Sequence, residues 1–129
     1  MKIALFSSEK SNIHPLPLIA KELRSAIHNL EVKEHISKNN LDLVGDISQA
    51  KGFDAVVVVL FYEKSSLDVK ILMEKLVHLD LEGKRTMKFL EKGDDFDLEE
   101  ESKKISGSIL LQLFGASPKA KKGASYKGI

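Results

Sequence analysis

The chain of 129 residues contains no cysteine and no tryptophan, and only 6% of its residues are aromatic. The missing thiols exclude a disulfide scaffold, a thiolate nucleophile, a Cys-containing zinc site and an iron–sulfur cluster. Long hydrophobic runs are also absent: the longest, Ala55 to Tyr62, is eight residues, against roughly 20 for a membrane span. A single lysine precedes the short apolar stretch at the amino terminus, and no signal-cleavage region follows it, which predicts a cytoplasmic protein with no membrane partner. Neither sign of charge dominates, with 20 basic and 19 acidic residues giving +1 overall, so the whole chain demands neither nucleic acid nor an anionic surface. No Walker loop and no GxGxxG fingerprint occurs, and the segment Ser7 to His14 has no glycine, which disfavours nucleotide triphosphate chemistry. His14, His28, His35 and His78 are dispersed, with no HExxH pair, so neither a metal nor a cofactor is expected. Of these, His14 has the best catalytic location, although an Asn12-Ile13-His14-Pro15 helix entry accounts for it equally well.

What is present is an alternation of apolar patterns, in a chain that is 43% hydrophobic and 30% charged. These values fit one compact globular domain, predicted over residues 1–116, followed by a basic tail over 117–129. Lys2–Ser8 (KIALFSS) reads as a buried strand, β1. Pro15 and Pro17 fit a first helical turn, and Leu16, Ile19, Ala20, Leu23, Ile27 and Leu30 form the face of α1. Glu31–Ser37 is an edge-like strand, β2, and Leu43, Val44, Ile47 and Ala50 mark a short α2 stopped by Gly52. Asp54–Glu63 (DAVVVVLFYE) is the central β3, because consecutive β-branched residues favour extended backbone covered on both sides. Ser65 or Ser66 caps α3, whose face is Val69, Leu72, Met73, Leu76 and Leu79, with Gly83 ending it. Lys84–Leu90 is predicted as β4, and Asp97 with Glu100 opens α4, whose stripe is Leu98, Ile105, Ile109 and Leu113. Four β-then-α units imply a three-layer α/β/α sandwich with a four-stranded parallel sheet of order 2-1-3-4.

Ligands of open parallel sheets sit beyond the carboxyl ends of the strands, where neighbouring connections diverge. That places the candidate site between β1 and β3. Ser7, Ser8 and Lys10 follow β1; Phe61, Tyr62, Glu63 and Lys64 close β3. A lysine there anchors an anionic or carbonyl group and a glutamate accepts a proton when partly desolvated, so Glu63 and Lys64 are the candidate catalytic pair. Solvated loop charge is the competing reading. Successive side chains face opposite ways, so one of Phe61 and Tyr62 enters the core while the other covers the crevice and could stack on a flat heteroaromatic ligand. Ser7, Ser8 and Lys10 complete the ligand-binding set. The tail has four lysines and no acid, while Glu91 to Lys104 carries seven acids against three lysines. The tail lacks a pattern of stacking aromatics, so an RNA-binding reading of it rests on charge alone.

The opening KIALFSS before a long helix, the central FDAVVVVLFYE leading into a substrate-side helix, RTMKFLEKGDD before an acidic helix start, LLQLF and a basic Gly-containing tail resemble one superfamily. It is that of lumazine synthase and the archaeal-type riboflavin synthases, and the likeness covers most of the chain. It implies a flavodoxin-like, lumazine-synthase-like sandwich, pentameric assembly with sites between subunits, and a pteridine-like ligand at the carboxyl edge. It further implies a transferase of riboflavin biosynthesis that dismutates 6,7-dimethyl-8-ribityllumazine. The histidine-containing segment that opens the family's helix after the central strand reads Glu63-Lys64-Ser65-Ser66-Leu67-Asp68 here, so a base would have to be Glu63 or Asp68. The family's glycine and proline turn after β2 is replaced by Ser37-Lys38-Asn39-Asn40. Two other classes remain open: a non-catalytic flavodoxin-like ligand-binding or assembly module, and an RNA-associated protein acting through Lys119 to Lys127.

Overall fold

The computed structural model describes residues 1–115; the basic tail expected over 117–129 lies outside the described residues. The elements run β1 (Lys2–Ser8), α1 (Leu16–Ala26), β2 (Glu31–Ser37), α2 (Asn40–Ser48), β3 (Ala55–Tyr62), α3 (Leu67–Leu81), β4 (Met87–Lys92) and α4 (Leu98–Phe114). All strand pairs are parallel and the order is β2-β1-β3-β4.

Alternation along the strands builds the two apolar layers. Ala55, Val57, Val59 and Phe61 pack with Ile3 and Leu5 against α1 and α4, whereas Val56, Val58 and Leu60 pack with Ala4 and Phe6 against α2 and α3. β3 is thus covered on both faces, which is why its sequence is a continuous apolar run rather than an alternating one. Strand β2 lies at one edge, and Lys33, Glu34, His35 and Ile36 are all exposed. Strand β4 lies at the other, with Met87, Lys88, Phe89 and Leu90 only half-buried. No helix among the described residues is long and apolar enough to cross a membrane.

Local chemistry sets the helix ends. The Asn39 side chain accepts the Asp42 N–H at 2.8 Å to open α2, and Asp97 accepts the Glu100 N–H at 2.9 Å to open α4, each satisfying one otherwise orphaned donor. Gly115, at φ 77°, closes α4 in the left-handed conformation that glycine adopts without a Cβ penalty. The last turn of α2 is closed from a distance: the Lys84 ammonium donates to the carbonyls of Ile47 (3.3 Å), Ser48 (3.0 Å) and Ala50.

That contact explains the first departure from expectation. β4 begins at Met87 rather than Lys84, because Lys84 is committed to α2 and the Thr86 N–H donates to Asp80 at 2.9 Å. The second concerns α4. Leu98 is 40% exposed, and the buried face is Ser102, Ile105, Ser106, Ile109 and Leu110. The two serines go inside because each hydroxyl donates to a carbonyl one turn back, Leu98 and Ser102 respectively, so that neither is left unpaired.

Candidate functional site

The connection from β1 leads to α1 on one face of the sheet and that from β3 leads to α3 on the other, so the carboxyl edge between them is a topological switch point. Direct pairing of these strands extends only from Ile3↔Ala55 to Phe6↔Val58. Beyond it, the β1–α1 loop takes the place of β1. The Phe61 N–H donates to Ser11 Oγ at 3.0 Å, Ser11 Oγ donates to the Ile13 carbonyl at 2.8 Å, and the Asn12 N–H donates to the Phe61 carbonyl at 2.7 Å. The same loop reaches the end of β4, where Asn12 Nδ2 lies 3.4 Å from the Gly93 carbonyl and the Gly93 N–H donates to the Tyr62 carbonyl at 2.9 Å. Phe61 is fully buried beneath this clasp, edge-on to Phe96 with ring centroids 4.6 Å apart. The α1/α4 half of the crevice is therefore filled by the loop and two aromatic rings.

The α2/α3 half is polar. Its helix starts are joined by Asn40, which is buried and donates from Nδ2 to Asp68 Oδ2 at 3.0 Å. Asp68 also accepts the Ser66 hydroxyl and, at 3.0 Å, the Val69 N–H. The Ser66 hydroxyl chiefly, with Asn40 and backbone N–H groups, holds the Asp68 carboxyl below its ordinary value against the opposing effect of burial. An aspartate so solvated by donors is a poor proton acceptor. Of the two carboxylates that the missing histidine leaves as candidate bases, Glu63 and Asp68, Asp68 is the one whose oxygens are occupied by donors. Between β2 and α2, Ser37 Oγ donates to Asp46 Oδ2 at 2.6 Å and His35 Nε2 lies 2.8 Å from the same oxygen. The Ser37 and His35 contacts hold Asp46 below its ordinary value. His35 and Asp46 separate two shallow cavities of about 400 and 310 Å³ between β2 and α2.

The residues expected from sequence separate by environment. Ser7 and Ser8 are fully buried; Ser8 Oγ accepts the Lys10 N–H at 3.0 Å, whereas Ser7 Oγ and Asn40 Oδ1 have no hydrogen-bond partner among the described residues. Phe61 belongs to the core, and Tyr62, half-buried on the opposite face, is the ring left at the edge. Lys10, Glu63 and Lys64 are exposed at the carboxyl ends of β1 and β3. Asn40, Ser66 and the Ser37–Asp46–His35 group were not anticipated as site residues. The Ser37-Lys38-Asn39-Asn40 turn and the segment Glu63 to Asp68 had marked their neighbourhood, but not the contacts between them, because Asp46 and Asp68 come from separate helices.

Among the described residues no group of three or more His, Asp or Glu side chains is placed to hold a metal ion. The fold and this edge define a three-layer α/β/α protein with a parallel four-stranded sheet and polar helix starts beside its switch point. No protein-family model matches the sequence, and no curated protein matches it.

Proposed function

We propose that this protein binds a flat heteroaromatic ligand of the lumazine or pteridine class at the carboxyl edge of its sheet, in the manner its likeness to lumazine synthase and the archaeal-type riboflavin synthases implies. The observation that carries this reading is the switch point itself, with Tyr62 the ring left at its edge beside the polar α2/α3 starts. In this reading Tyr62 stacks on the ligand, the Lys10 and Lys64 ammonium groups anchor carbonyl or anionic substituents, and Glu63 exchanges the proton. Buried Ser8 shapes the floor by fixing the Lys10 backbone. Phe61 acts from beneath, through the core. A second copy of the chain completes the site, since Leu41 and Leu67, in the first turns of α2 and α3, leave 52% and 73% of their surface in water beside it.

The experiment is to incubate purified protein with 6,7-dimethyl-8-ribityllumazine and follow the emission spectrum against a protein-free control. Steady growth of riboflavin emission supports a dismutating transferase, and Glu63→Gln and Lys64→Ala should then each lower the rate. An unchanged spectrum, with neither turnover nor a binding-dependent change, overturns the proposal. One observation favours a non-catalytic ligand-binding module of the same fold: Glu63 and Lys64 make no side-chain hydrogen bond or ion pair with another described residue, and catalytic groups are ordinarily held by supporting contacts. Saturable spectral change without product identifies that alternative.

A further inference from the structure

We propose that the outer face of α3 pairs antiparallel with the same face of a second copy of the chain, about a two-fold axis at Glu74. Helix α3 is apolar on two sides. Val69, Leu72 and Leu76 are buried with the apolar side chains of the sheet, and a helix that covers a sheet needs only that one stripe. A second stripe faces away from them. Leu67, Val77 and Leu81 are 73%, 53% and 79% exposed, and Ile71 is half-buried. Leu67, Glu74 and Leu81 recur every seven residues, with Ile71 and Val77 dividing the two intervals into threes and fours, which is the spacing of a seam between two helices.

Symmetry selects the occupant. The stripe reads alike from either end: Leu67 and Leu81 each stand seven residues from Glu74, Ile71 and Val77 three, and the basic residues Lys70 and His78 four. A two-fold contact between identical surfaces requires a surface complementary to itself. With the two helices antiparallel and Glu74 on the axis, Leu67 meets the partner's Leu81 and Ile71 meets the partner's Val77, so every apolar position of the seam opposes another. A shift by one turn would leave one of the exposed leucines beyond the end of the opposite helix.

Charge fits the same register. Lys70 lies about 6 Å along the axis from Glu74, four residues at 1.5 Å each, within reach of a lysine stem. Each Lys70 ammonium therefore meets the partner's Glu74 carboxylate, and the two symmetric ion pairs offset the repulsion between the carboxylates on the axis. The seam from Leu67 to Leu81 is about 21 Å long, so the dimer it forms is concentration-dependent. Its contact joins two identical surfaces, whereas each contact of the cyclic pentamer that the resemblance implies joins two different ones. The pairing brings a second copy to Leu67, beside the proposed ligand edge, but does not depend on what that edge binds.

The test uses the full chain, which has no cysteine of its own. Sedimentation equilibrium over a concentration series should show monomers exchanging with a species of twice the chain mass. Under mild oxidation Glu74→Cys should form a disulfide-linked dimer, and an equal mixture of Leu67→Cys and Leu81→Cys should link one variant to the other in preference to itself. Lys70→Glu should weaken dimerisation about tenfold, and Lys70→Glu/Glu74→Lys should recover it to within about threefold, because the reversed ion pairs are again complementary. A monomer at every attainable concentration would overturn the proposal. So would an assembly in which Glu74→Cys stays unlinked, in which Leu67→Cys and Leu81→Cys link to themselves as readily as to each other, or in which the double reversal dimerises no better than Lys70→Glu alone.

Discussion

Replacing Ser11 by alanine isolates the clasp that closes one half of the candidate crevice. Ser11 is 5% exposed, and its hydroxyl both accepts the Phe61 N–H at 3.0 Å and donates to the Ile13 carbonyl at 2.8 Å. Alanine fits the same space, so the change is in hydrogen bonding rather than packing. Phe61 is fully buried, and a buried N–H stripped of its partner costs about 1–3 kcal/mol. Ile13 is half-buried, so its carbonyl can recover water and adds only about 0.5 kcal/mol. The expected loss is therefore about 2.5 kcal/mol, which for a domain of this size lowers Tm by about 10 °C. Urea unfolding measures the first figure and a thermal scan the second. Amide exchange should accelerate at Phe61 and Asn12 in particular, since the loop then loses one of its two bonds to β3. A loss below about 0.5 kcal/mol with Phe61 still protected would refute the reasoning, because it would mean that the β1–α1 loop is held in place without this hydroxyl.

Lys84→Met keeps the aliphatic stem but removes the ammonium that closes α2, and should lower stability by about 1–2 kcal/mol in urea unfolding. Gly45, inside α2, has nothing within 4 Å of where a Cβ would stand, so Gly45→Ala should stabilise by about 0.5–1 kcal/mol, read as a higher urea midpoint at unchanged slope. Gly93→Ala should do the opposite, by about 1 kcal/mol, because its Cβ would lie 2.9 Å from Phe96 Cζ and that ring is edge-on to Phe61. Asp46, Asp68 and Asp80 titrate below their ordinary value of 3.8; for Asp80, burial pushes upward, but the bonds from Lys88 and Thr86 together outweigh it. Between their native and unfolded values the unfolded chain binds more protons, so the stabilisation they give is present above that range and is lost as pH falls through the native values. Tm measured from pH 6 down to pH 2 should fall less steeply in Asp46→Asn and Asp80→Asn than in the parent protein.

The polar half of the edge has a physical logic that bears on the proposed ligand. Two helix starts converge where Asn40 meets Asp68, and the partial positive charge of both helix ends favours the carboxylate placed between them. Asp68 is thereby a fixed hydrogen-bond acceptor, and in the proposed reaction the proton would be exchanged by the exposed Glu63. Asn40 Oδ1 and Ser7 Oγ, which have no hydrogen-bond partner among the described residues, lie at the same end of the sheet.

Strand and helix identity, the strand order and the location of the edge were legible before any coordinates. Those features follow from periodicity: β3 must be covered on both faces because Val56 to Val59 leave no polar side, and helices between parallel strands force crossovers of one hand. The charged edge strand β2 was equally plain, since Glu31, Lys33, Glu34 and His35 cannot all be buried. Tertiary structure decided what depends on partners distant in the chain. Lys84 belongs to α2 rather than to β4 because three carbonyls 34 to 37 residues away need a donor. Ser102 and Ser106 lie on the buried face of α4, where their hydroxyls turn back on carbonyls of their own helix. Asn40 and Asp68 meet across 28 residues, and Phe61 rather than Tyr62 enters the α1/α4 core because strand register gives it that face. Local sequence fixes backbone preference and the polarity of each face; hydrogen bonds between elements depend on how those faces dock, and only the folded chain brings their two halves together.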